Sequence, residues 1–141
     1  MSIIGINYWA VLVSAIAAWI LGAAYYMALA RPWMAAHGWN SEADMLGPSG
    51  KTSPIPFVIS FIAELIMAWV LAGVLFHVGK GAFTVKGGLI SGFLVWLGFV
   101  ATTISVNYAF SKKPIALTVI DAGHWLAVLL LMGIIIGAWG V

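Results

Sequence analysis

The chain has 141 residues, a formal net charge of +2 and no cysteine; 64% of it is hydrophobic and only 7% charged, against roughly 25% charged in a soluble domain. So much apolar surface cannot be hidden in one small core, so lipid must solvate most of a single domain spanning residues 1–141. The absence of cysteine excludes disulfides, thiolate catalysis, iron–sulfur clusters and cysteine-type zinc sites, and the scattered Lys and Arg residues give no nucleic-acid footprint.

Four long apolar runs follow in chain order, over residues 7–29, 55–78, 85–108 and 115–139. At about 1.5 Å per residue, each can cross a ~30 Å hydrocarbon core with some tilt. The pattern predicts an all-α integral membrane protein, a four-transmembrane-helix bundle with short loops. The 8 Trp and 4 Tyr suit aromatic belts at the two interfaces. Arg31-Pro32 closes the first run, and Pro54, Pro56 and Pro114 sit where a helix begins but cannot continue from upstream. Ala28-Leu29-Ala30 mimics a signal cleavage site, but the first run lacks a basic leader and is too long for a signal core, so an uncleaved span is expected.

The first loop, 30–54, is the one sizeable extramembrane piece. Trp33, Met34 and Trp39 mark it as interfacial, Ser41 with Asp44 reads as the cap of a short helix, and the Gly- and Pro-rich remainder is a connector. The first and third loops carry Arg31, Lys51, Lys112 and Lys113, and the second carries Lys80 and Lys86. The positive-inside rule then places both termini outside.

Ionisable groups inside a span cost about 2.5–3.5 kcal/mol each at the bilayer centre. Glu64, Asp121 and His124 stand out. Glu64 follows Ile55 by nine residues and His124 follows Ile115 by nine, which puts both roughly 13 Å deep from the same side. Asp121 lies one turn shallower on the His124 face. Thr103 and Asn107, four apart on the third span, reach similar depths from the opposite direction, and the first span contributes Tyr25 and Tyr26. All four spans are expected to supply one polar layer. Its residues either hold the bundle together by mutual hydrogen bonds, which is the preferred reading, or form a proton- or ligand-binding site. Glu64, Asp121 and His124 could also be counted as metal ligands, but no supporting ligand spacing exists, so no metal site and no cofactor are expected. His77 and His37 read as interfacial.

Small residues mark close helix contacts. Gly88 and Gly92, Gly133 and Gly137, and the stripe Ser14, Ala18, Gly22 let backbones approach. They serve packing within the chain or a homo-oligomer through the glycine faces; lipid is the other expected partner.

Several strings carry a resemblance: Asn7-Tyr8-Trp9-Ala10-Val11, Leu21-Gly22 with Tyr25-Tyr26 and Trp33-Met34, Leu97-Gly98-Phe99-Val100-Ala101-Thr102-Thr103 leading to Asn107, and Asp121-Ala122-Gly123-His124. Over nearly its whole length the chain resembles a family of small bacterial four-span membrane proteins, domain of unknown function 1761. The resemblance implies a four-helix protein of the bacterial inner membrane, with no established activity and no catalytic residues to carry over. Where that family commonly has an aromatic residue after Asp-Ala-Gly, this chain has His124, which leaves Asp121 and Asn107 the firmer markers.

Three functions are compatible with these features. The first is a non-enzymatic structural or accessory component that self-associates. The second is a small proton-linked transporter or ligand-binding protein acting through Glu64, Asp121 and His124. The third, a lipid-modifying enzyme, needs a nucleophile beside a base; only Ser105 or Thr103 near His124 would offer one, and no recognised arrangement appears.

Overall fold

The computed structural model describes residues 2–3 and 5–141, and it is helical almost throughout. A short antiparallel pairing of β1 (Ser2–Ile3) with β2 (Ile6–Asn7) opens it. The helices follow as α1 (Tyr8–Ala28), α2 (Ala30–Ala36), α3 (Glu42–Leu46), α4 (Ile55–Val78), α5 (Val85–Val95), α6 (Thr102–Phe110) and α7 (Ile115–Trp139). A π-helical segment, Trp96–Ala101, joins α5 to α6. Four helices are long and apolar enough to cross a membrane, the third being the continuous stretch Val85–Phe110.

Local chemistry sets the ends. Asn7 caps α1 by accepting from the Trp9 amide at 3.1 Å, and its own side chain donates to the Trp139 carbonyl at 3.0 Å. The Asn7 amide also donates to the Gly140 carbonyl at 2.9 Å, tying the start of α1 to the end of α7. Thr84 caps α5 by accepting from the Gly87 amide at 2.9 Å. Gly79 ends α4 at φ +120°, a backbone region that side chains resist. In the first loop Ser41 accepts from the Asp44 amide, and the Asp44 carboxyl accepts from the Asn40 amide at 2.8 Å. His77, at the end of α4, bonds through Nδ1 to the Gly73 carbonyl.

The four spans pack unequally. In their most apolar stretches 44% of the fourth span is buried but only 6% of the third. α7 is the central helix, packed against α1, α4 and α5, and α1 also packs against α4. Val11 and Ala18 of α1, Ala68, Leu71 and Leu75 of α4, and Val128, Leu129, Met132 and Ile136 of α7 form the core. Outward residues such as Ile59, Ile66, Val70, Leu94 and Phe99 are apolar and exposed, as lipid-facing surfaces require.

The glycine pairs meet one another inside the chain. A methyl group on Gly88 would overlap the Gly133 carbonyl, and one on Gly137 would overlap the Thr84 carbonyl. One on Gly92 would stand 2.6 Å from the Leu129 carbonyl oxygen. Gly88, Gly92, Gly133 and Gly137 thus all take part in the close α5–α7 approach within the chain.

Candidate functional site

Asp121 and His124, two of the buried polar residues, lie toward the end of the bundle that carries the first loop. Asp121, on the second turn of α7, is 8% exposed, and each of its carboxyl oxygens accepts a tyrosine hydroxyl. Tyr26 of α1 donates at 2.7 Å, and Tyr108 of α6 donates at 2.6 Å. Tyr25 donates to the Ile120 carbonyl at 2.7 Å, and the Trp96 indole donates to the Ala122 carbonyl at 2.8 Å. Two side chains thus bond to backbone carbonyls of α7, beside the acid. The cluster ties α1, the third span and α7 together.

His124 lies one turn further along α7, 6% exposed. Its ring sits 4.5 Å from Trp125, 4.9 Å from Tyr26 and 5.6 Å from Tyr25, centroid to centroid. It packs over Gly22, where a methyl group would come within 2.8 Å of Nε2; this is why the Ser14–Ala18–Gly22 stripe must be small at that point. His124 Nδ1 has no hydrogen-bond partner among the described residues.

An aromatic chain leads from this cluster to the interface. Tyr26 meets Trp33 edge-on at 5.8 Å, Trp33 meets His37 at 4.5 Å, and His37 stacks on Trp39 at 4.3 Å. Burial pushes the His37 imidazole below its ordinary range, Lys113 adds to the fall, and Asp121 opposes it.

Three expected members of the layer stand apart from it. Glu64 is 2% exposed, yet it takes no part in these contacts. Trp19 explains the level: its indole N–H donates to Ser60 Oγ and to the Phe57 carbonyl, both at 3.1 Å. Glu64 is one turn beyond Ser60 on α4, while His124 faces Gly22, one turn from Trp19 in the opposite direction. The two are separated by roughly two turns, or ~10 Å of rise. Counting from helix starts fails here because the spans do not begin at one height.

Thr103 and Asn107 are exposed and point out of the bundle. Thr103 donates to the Phe99 carbonyl, Thr102 to the Gly98 carbonyl at 2.9 Å and Ser105 to the Ala101 carbonyl at 2.6 Å. The reason is the π-helical turn. It inserts one extra residue, which rotates everything downstream by about 100° relative to a regular helix. Ile104 and Tyr108 therefore take the inward positions that regular spacing assigns to Thr103 and Asn107. The sequence reading missed Tyr108 for this cause; the one available signal was that a tyrosine hydroxyl on the same span reaches further than an asparagine.

The arrangement supplies hydrogen-bond donors to one acid, and the Thr103 and Ser105 hydroxyls are bound to their own helix carbonyls on the exposed side. Among the described residues no three His, Asp or Glu side chains gather as a metal site would need. Surface hollows occur elsewhere among the described residues. One of about 270 Å³ is lined by Thr102, Thr103, Val106 and Asn107, and one of about 200 Å³ is apolar, between α4 and its neighbours.

Comparison with known proteins adds a family and no activity. No curated protein and no solved structure matches the chain. Residues 9–137 match the family model described as a protein of unknown function, DUF1761. With that match covering nearly the whole chain, this four-span membrane protein belongs to the DUF1761 family.

Proposed function

We propose that the chain is a non-enzymatic structural component of its membrane, which holds its own helices with the Asp121 cluster and self-associates through its third span. The observation that carries this reading is the face formed by Thr102, Thr103, Val106 and Asn107. It lines an open hollow on the least buried of the four spans. The Asn107 amide makes no hydrogen bond with the described residues and is exposed near the end of the span. In lipid such a group is satisfied by a neighbouring helix. An asparagine amide both donates and accepts, so two copies related by a two-fold axis can pair Asn107 with Asn107. The closed surroundings of Asp121, with both oxygens engaged, support a structural role for that acid.

The chain contains no cysteine, so single introduced cysteines report contacts without background. In lipid nanodiscs loaded above one copy each, Val106→Cys is expected to form a disulfide-linked dimer on mild oxidation, and Asn107→Leu in that background to weaken it about threefold to tenfold. Ile62→Cys, equally exposed on α4, is expected to stay monomeric. Absence of the Val106 link, or equal linkage at both positions, would contradict the reading.

A further inference from the structure

Glu64 is the buried acid that the Asp121 cluster leaves unused. It sits near the middle of α4, 2% exposed, with Oε2 lacking a hydrogen-bond partner among the described residues. Its helix face is defined on both sides. Ser60, one turn before it, accepts from Trp19 of α1, and Ala68, one turn after it, is fully buried in the core. Ser14 of α1, also fully buried and with a hydroxyl that meets no partner among the described residues, lies at about the same height on the antiparallel neighbour.

The titratable groups on the surrounding elements are elsewhere. Tyr8, Tyr25 and Tyr26 stand at the ends of α1, Lys86 and Tyr108 at the ends of the third span, and Asp121 and His124 in the cluster two turns away. An ionised carboxylate that is almost sealed from the surface, with no counter-charge paired to it among the described residues, is costly, and proteins meet that situation by neutralising the group. A metal cation would need several oxygen ligands, and among the described residues no cluster of acids and histidines provides them.

We infer that Glu64 is an intramembrane proton-binding site, a neutral acid at rest seated in the seam between α1 and α4, whose bound ligand is the proton and not a metal cation.

A hydrophobic carbodiimide tests this on the intact chain in detergent or nanodiscs. Dicyclohexylcarbodiimide takes the proton of a neutral carboxylic acid, the carboxylate adds to its central carbon, and in a dry site the adduct rearranges to a stable acylurea. The chain has four acids, two of which, Glu42 and Asp44, are exposed in the first loop. Peptide mass mapping is expected to find the stable adduct on Glu64, with a rate that falls about tenfold per pH unit above the acid's titration midpoint. Sodium should leave that rate unchanged, and Glu64→Gln should abolish the adduct. If that variant does not fold, the wild-type map and its pH profile decide alone. No adduct at Glu64, a rate independent of pH, or suppression by sodium would overturn the inference.

Discussion

Asp121 and Glu64 are acids of similar burial with opposite surroundings, and the contrast separates what each does. Asp121 is held by two tyrosine hydroxyls from two other helices. Glu64 is 2% exposed, and its Oε2 meets no hydrogen-bond partner among the described residues. Both were conspicuous in the sequence because charge is costly inside a span. Their partners were not, since the rotation and height of each helix are invisible in residue spacing. His37 is a residue whose behaviour follows from its place. Its imidazole lies below the ordinary value of 6.5 because it is packed between Trp33 and Trp39 with Lys113 near. A depressed histidine contributes stability that is present above 6.5 and is lost as pH falls below that value toward the folded-state one, since the released ring then binds the extra proton. Amide exchange over residues 30–46, corrected for intrinsic rates, is expected to accelerate as pH drops through this window in the wild type and to stay flat in His37→Gln. Equal profiles for the two proteins would refute the assignment.

At the scale of elements, two features of the third span govern the packing. The G-x-x-x-G spacing was legible, but whether it joins helices of one chain or of two was not, because the same close approach serves both. The structure spends Gly88 and Gly92 on Gly133 and Leu129. Gly88→Ala is therefore expected to destabilise the monomer by about 1–3 kcal/mol through overpacking. Gly73→Ala, where a methyl meets nothing within 4 Å, is expected to be neutral or slightly stabilising. Thermal unfolding in one detergent compares them, and a stable Gly88→Ala monomer would show that the α5–α7 contact is misassigned. The π-helical turn at Trp96–Ala101 left no trace that spacing could read. It is sustained by tertiary bonds, such as that of Trp96 to the Ala122 carbonyl, and by hydroxyls that bond carbonyls of the widened turn. Its effect is large: it moves Thr103 and Asn107 out of the bundle and brings Tyr108 in.

The whole molecule is a four-span bundle organised on α7, and this much followed from composition. With 7% charged residues and four apolar runs, no other solvent than lipid satisfies the chain. The central place of α7 did not follow, because all four runs are similarly apolar; it depends on the small and polar positions that α7 presents to each neighbour. The Asp121 cluster clamps three of the four spans at one end, while Asn7 ties α1 to α7 at the other. A structural clasp of this kind should make the bundle unfold as one unit and should weaken when either tyrosine hydroxyl is removed. The most direct measurement is the unfolding free energy in mild detergent of wild type, Tyr26→Phe, Tyr108→Phe and the double variant. Each single change is expected to cost about 1–2 kcal/mol with a single cooperative transition. Single variants as stable as the wild type would contradict the account, because the acid would then be held by something other than these two hydroxyls.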